Sequence, residues 1–170
     1  MFLAATTAHC QSTELEVSAG SGALAARVTF NWSQVQDVVA ALQEGLESRI
    51  TFTVRLYEKR RSVFPLPPDH LLVERTVSRS AFWDFLDGRF VVESDTGAQV
   101  SYASAEELLH GFFSVADVFL YPVPRDPHRS MYATARAQFE PVRLMPPLTL
   151  VSMVGRAAAV VTPWVRRDLP

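Results

Sequence analysis

Residues Ser33–Tyr57 read SQVQDVVAALQEGLESRITFTVRLY and hold two hydrophobic periods in succession. Val35, Val38, Val39, Leu42 and Leu46 recur at steps of three and four, the spacing that gathers apolar side chains into one stripe of an α-helix. Past Gly45 the period falls to two, with Ile50, Phe52, Val54 and Leu56 alternating with Thr51, Thr53, Arg55 and Tyr57. That alternation describes a strand with one buried and one wet face, as in antiparallel sheets. Ser33 stands where its hydroxyl can accept the N–H of Gln36, a capping box that predicts a helix from Ser33 to about Glu44. Trp32 precedes the cap and is expected to staple the entry. Gly45 suits the left-handed position that ends a helix, because it has no Cβ to clash. Glu58-Lys59-Arg60-Arg61 closes the strand.

The same reading extends outward. Thr13–Ser18 and Leu24–Phe30 alternate on either side of Gly20-Ser21-Gly22, which predicts a hairpin. Leu71–Val77, Arg89–Ser94, Ala98–Tyr102, Ala116–Tyr121, Met131–Phe139, Leu148–Val154 and Ala157–Val161 are further strand candidates. Asp87-Gly88 is the strongest short hairpin signal, and Asp95-Thr96-Gly97 marks a second turn. Ser104 and Glu107 form another capping box, opening a short helix through about His110. Within Met131–Phe139 the inward set includes Ala133, Ala135 and Ala137. Small residues there imply that another element, expected to be a helix, crosses close to the sheet. Phe82, Trp83 and Phe85 admit two readings. In a strand Trp83 and Phe85 share a face; in a helical turn Phe82 and Phe85 pair. The expected architecture is a mainly β, β-rich α+β fold: an antiparallel β-sandwich or open barrel with two or three short helices. Residues 13–167 form one domain, and residues 1–12 are a signal-sequence remnant or a disordered N-terminus.

Composition narrows the function classes. The 170 residues are 48% hydrophobic and 20% charged with net charge −2, which suits one globular domain and gives no global field for nucleic acid. Lys59 is the only lysine, and Cys10 the only cysteine, so no intramolecular disulfide and no multi-cysteine zinc site can form. The longest apolar tract, Leu148–Val165, is interrupted by Gly155, Arg156 and Pro163, so no transmembrane span is expected.

The N-terminal residues are apolar, then small, then polar. Thr6 and Ala8 fit a small-x-small cleavage site, and Thr7-Ala8-His9-Cys10 faintly resembles a lipobox in which Cys10 takes a lipid. Both readings need residues upstream of Met1 and place the protein in the periplasm or envelope. The alternative is a cytoplasmic chain with a frayed start.

Tests for chemistry find no assembled motif. Gly20-Ser21-Gly22 lacks the context of a phosphate loop, and no Gly-x-Ser-x-Gly elbow occurs. Glu107 and His110 make one Glu-x-x-His pair where a di-iron bundle needs two; they also suit the two ends of a helix dipole. His70 with Asp69 and Glu74 lacks a second nearby histidine, and Asp126 with His128 sits in a proline-rich loop. No metal and no cofactor is assigned. A hydrolase or glycan-acting enzyme remains open as an alternative if His70, Asp126 and His128 converge. A lipocalin-like carrier remains open if the strands close into a barrel around an apolar cavity. The candidate binding residues are Arg55, Tyr57, Lys59, Arg60 and Arg61, a solvated strand end or a basic patch for lipid headgroups or an acidic partner. Trp83 joins them as a stacking candidate.

Ala41-Leu42-Gln43-Glu44-Gly45, then Ile50–Leu56, then Lys59-Arg60-Arg61 resembles the DUF4390 family of uncharacterised bacterial proteins. The block Ser80–Val92, the helix Ser104–Leu109 and Leu144-Met145-Pro146-Pro147-Leu148 are also similar to that family, as is a final tryptophan-containing strand at Val160–Val165. The resemblance covers roughly Leu15–Arg167. The Ser62-Val63-Phe64-Pro65 stretch departs from it, standing where the family has tryptophans. It implies an exported, envelope-associated protein and brings no catalytic residues. The expected function is therefore non-catalytic, the binding of an envelope protein partner or an apolar ligand.

Overall fold

The computed structural model describes residues 11–20, 22–60, 69–123, 130–143 and 159–169. Strands β1 (Gln11–Gly20) and β2 (Ala23–Trp32) form the N-terminal hairpin, with Leu15 opposite Val28 and Val17 opposite Ala26. Helix α1 (Val35–Gln43) leads into β3 (Glu47–Glu58), followed by β4 (His70–Asp84), β5 (Arg89–Ser94) and β6 (Gln99–Tyr102). Helix α2 (Ala105–Phe113), β7 (Ser114–Pro122), β8 (Met131–Arg143), β9 (Val160–Val161) and β10 (Val165–Asp168) complete the order. The strands make two antiparallel sheets. The small one is ordered β1-β2-β7, and the large one β10-β8-β3-β4-β5-β6 with β9 paired to β8. Among the described strands neither sheet closes into a barrel, and the two antiparallel sheets with two short helices agree with the expected mainly β architecture.

β3 occupies the middle of the large sheet, and its inward residues Ile50, Phe52, Val54 and Leu56 are fully buried. They face Leu24, Ala26, Val28 and Phe30 of β2 and Val115, Val118 and Leu120 of β7 within one core. Burial of each such large side chain contributes about 1.5–3 kcal/mol. Phe139 is the centre of an aromatic cluster, with ring centroids 5.5 Å from Phe30, 5.2 Å from Trp32 and 5.3 Å from Phe113. Helix α2 lends Leu108, Phe112 and Phe113 to the same core, over the part of the large sheet that the small sheet does not reach.

The local expectations are modified in three places. β2 runs on to Trp32, which pairs with Gln11, so Ser33 is used in the turn and does not cap. Gln34 takes the N-cap position with no side-chain cap bond, and α1 starts at Val35. Its far end is a Schellman motif: Gly45, at φ +87°, donates to the Leu42 carbonyl, and Leu46 donates to the Ala41 carbonyl. The alanine face of β8 is crossed by β1 of the opposing sheet, not principally by a helix. Sheets stack about 10 Å apart, and β1 can lie against Ala133, Ala135 and Ala137 because their side chains are short. Finally, β4 is one long strand that absorbs both Leu71–Val77 and Ser80–Trp83. Trp83 follows the strand reading, opposite Phe90. Phe85 leaves it for the four-residue turn to β5, where Asp84 Oδ1 accepts from the Leu86 and Asp87 N–H groups. Leu148–Val154 and the Pro124 loop lie outside the described residues.

Candidate functional site

The pleat turns Thr51, Thr53, Arg55 and Tyr57 away from the core. β3 pairs with both β4 and β8, so those residues meet two neighbours. Arg55 stands between Glu74 and Thr134, and Tyr57 stands beside Tyr132. β10 extends the same rows, with Arg166 beside Thr134 and Asp168 beside Tyr132. Four strands thus present one continuous outer face.

The side chains on it are stacked. The guanidinium carbons of Arg55 and Arg136 each lie 4.6 Å from the ring centroid of Trp164. Arg166 lies 3.7 Å over Tyr132, which itself stacks on Tyr57 at 5.1 Å and 12°. A cation over an aromatic face is attracted by the ring quadrupole. Ion pairs and hydrogen bonds fix the edges of the stack. Arg55 donates to Glu74, Lys59 Nζ is 3.0 Å from Asp168 Oδ1, and the Tyr132 hydroxyl donates to Asp69 Oδ2 at 2.9 Å. Glu74 holds Arg55 above its ordinary value. Lys59 and Arg166, both bonded to Asp168, hold its carboxyl below the usual carboxylate range. Burial first, and then the bond to Asp69, pushes the Tyr132 phenol up.

A second concavity lies where the β1–β2 hairpin meets the C-terminal end of α2. It is a cleft of about 550 Å³ whose walls include Glu14, Glu16, Arg27, Arg79, Tyr102 and His110.

Residues 5–168, nearly the whole chain, match the model of DUF4390, described as a domain of unknown function. The chain belongs to the DUF4390 family. No curated protein and no solved structure matches it. The family match agrees with the resemblance read from Ala41–Gly45 and the strand after it, and it carries no activity with it.

In this DUF4390 domain the structure gathers part of the sequence-derived set. Arg55, Tyr57 and Lys59 meet on the outer face. Arg60 adjoins its end, its backbone N–H 3.3 Å from Asp69 Oδ1. Arg61 and Cys10 lie outside the described residues. Trp83 is elsewhere: it is on the inward register, packed edge-on against Phe90 at 4.6 Å. His70 opens β4 and is exposed, and Asp126 and His128 lie outside the described residues, as their loop does. Glu107 uses its N–H on the Ser104 cap, and His110 lines the cleft. Among the described residues no group of three His, Cys, Asp or Glu side chains gathers for a metal, and no helix is long and apolar enough to cross a membrane. Among the described strands no sheet closes into the barrel that the carrier reading required.

Sequence reasoning missed Trp164, Arg136, Tyr132 and Arg166 as members of the face. The signal was partly present, because Tyr132 and Arg136 share the outward parity of β8. It could not be used without knowing that β8 lies beside β3. Arg79 also carried a signal, a guanidinium on the inward register of β4 between Val77 and Ala81.

Proposed function

We propose that this DUF4390 domain is a non-catalytic, envelope-associated binding module that docks a partner protein through the outer face of its large sheet. The observation that carries the reading is Trp164 held between Arg55 and Arg136, beside the Tyr57–Tyr132–Arg166 stack. Trp, Tyr and Arg are the residue types that dominate protein–protein hot spots. Here they are already immobilised against each other, so less side-chain entropy is left to lose on association. The face carries both signs: Arg49, Arg55, Lys59, Arg136 and Arg166 stand among Glu47, Asp69, Glu74, Glu140 and Asp168, so the stacked aromatic and guanidinium groups, not net charge, carry the reading. The envelope part of the proposal, lipid-anchored or periplasmic, rests on the sequence pattern of residues 1–12 and on the family resemblance.

A photo-activated cross-linking residue placed at Thr76 or Thr134, both on the outer face, tests this in the producing cell. Discrete protein adducts are expected at both positions, lost when Trp164 is replaced by Ala and absent when the cross-linker sits at the exposed Ser18 on β1 of the small sheet. Adducts that survive Trp164→Ala, or that form equally at Ser18, would overturn the docking surface.

A further inference from the structure

The inward register of β4 reads Val73, Arg75, Val77, Arg79, Ala81, placing two arginines where a sandwich strand ordinarily carries apolar residues. Arg75 solves the problem at the margin: it stays exposed, and its Nε donates to the Phe119 carbonyl at 3.3 Å. Arg79 goes further in. Its Nη1 donates to the carbonyls of Gly111 and Ser114, at the end of α2. Those carbonyls have no helical partner of their own, and the negative end of the helix dipole favours a cation there.

That arrangement occupies one nitrogen of the fork. Among the described residues Arg79 makes its side-chain hydrogen bonds through Nη1, and the Asp95 carboxylate acts on the guanidinium from beyond ion-pair distance. Burial holds this guanidinium below its ordinary value. A partly desolvated guanidinium with unused donors is suited to a planar oxyanion, which it can grip with two parallel hydrogen bonds.

The surroundings extend the match. The Tyr102 hydroxyl stands against Gly111, in the space a side chain there would fill. The hydroxyls of Thr29 and Ser114 lie 3.4 Å apart, and all these residues line the cleft with His110. The hairpin wall carries carboxylates beside one cation. Glu14 and Glu16 are exposed, two residues apart on one face of β1; Glu14 accepts from Asn31 Nδ2 at 2.8 Å, and Glu16 stands opposite Arg27, which also lines the cleft. The cleft therefore has a donor-rich end and a carboxylate-bearing wall, in a volume of about 550 Å³, within the range of small-molecule sites.

We infer that this cleft binds a small zwitterion, an amino acid or a short peptide, with its carboxylate at Arg79 and its ammonium group at Glu14 and Glu16. This site is separate from the outer face and stands whether or not that face docks a partner.

The test uses the full chain and three probes: glycylglycine, which carries both charges; N-acetylglycine, which keeps only the carboxylate; and glycinamide, which keeps only the ammonium. Glycylglycine is expected to shift the backbone amide signals of Gly111, Ser114 and Glu16 saturably in NMR titrations. Each half-probe is expected to bind about tenfold more weakly or worse. Two variants at exposed positions leave the core untouched. Ala116→Phe fills the cleft from β7 and should abolish the shifts. Glu16→Gln should weaken glycylglycine while leaving N-acetylglycine unchanged. The absence of a saturable response, or a response unaltered by Ala116→Phe, overturns the site. N-acetylglycine binding as tightly as glycylglycine overturns the zwitterion assignment.

Discussion

Thr13 and Thr162, 149 positions apart in the chain, face each other in the interior with their hydroxyl oxygens 2.7 Å apart. The Thr162 oxygen also accepts the Ala137 N–H at 2.9 Å, so it ties β8 to the first strand of the opposing sheet. A buried donor or acceptor left without a partner costs about 1–3 kcal/mol. Thr162→Val should therefore lower stability by about 2 kcal/mol, because it orphans the Ala137 N–H as well as Thr13. Thr13→Val should cost less, since Thr162 keeps its backbone partners. The double valine variant should cost less than the two single effects added. Urea unfolding of the four proteins checks this, and strict additivity would rule out a shared bond.

Ala135 lies between Val54 and Val165 in register and is fully buried where β1 crosses the sheet. Ala135→Leu forces extra methyl groups into closed space, and overpacking of this kind costs about 1–3 kcal/mol. Thr134→Leu, one residue along and on the outer face, should cost much less. Thermal unfolding of the pair distinguishes a tight interface from a permissive one. Equal losses would contradict the close approach.

Gly111 lies inside α2, where replacing glycine by alanine normally stabilises by about 0.5–1 kcal/mol. A Cβ there would come within 2.1 Å of the Tyr102 hydroxyl oxygen, so Tyr102 has to move. Gly111→Ala should gain little or lose stability in the native background. In a Tyr102→Ala background the same change should stabilise. A double-mutant cycle measures the coupling, and a gain of the same size in both backgrounds would show that Tyr102 does not press on this position.

The Asp168 carboxyl is held below its ordinary value of 3.8 by Lys59 and Arg166. A carboxyl with a lowered folded-state pKa contributes stability that is fully present above its unfolded pKa and is lost as pH falls through the folded one. The stability difference between the native protein and Asp168→Asn should be constant near neutrality. It should shrink only below about pH 4. Denaturant unfolding of both proteins across that range reads it directly. A difference that grows on acidification would reverse the sign and remove the proposed pairing.

The legible part of the fold was its local part. The stripe from Val35 to Leu46 and the alternation from Ile50 to Tyr57 each need only neighbouring residues, because a helix repeats every 3.6 positions and a strand every two. The Ser104 cap was equally readable, and its hydroxyl does accept the Glu107 N–H. The Ser33 cap failed because a distant partner, Gln11, extends β2 to Trp32 and takes up the residues before the helix. Phe85 was ambiguous because nothing local says where β4 ends; Asp84 ends it by accepting two turn N–H groups.

By itself, then, the sequence determined a β-rich domain of the DUF4390 family, the inward and outward sets of β1, β2, β3 and β8, and the absence of a disulfide framework. It also placed Arg55, Tyr57 and Lys59 on one solvent-facing row. Only the tertiary structure decided what shares that row. Arg136, Tyr132 and Arg166 arrive on strands far away in the chain and Trp164 just before the last of them, and antiparallel pairing sets their register through hydrogen bonds that have no sequence period. The same holds for the cleft. Arg79, Tyr102 and Glu16 become neighbours because two sheets and a helix meet there, and the alternation within any one strand does not encode that meeting.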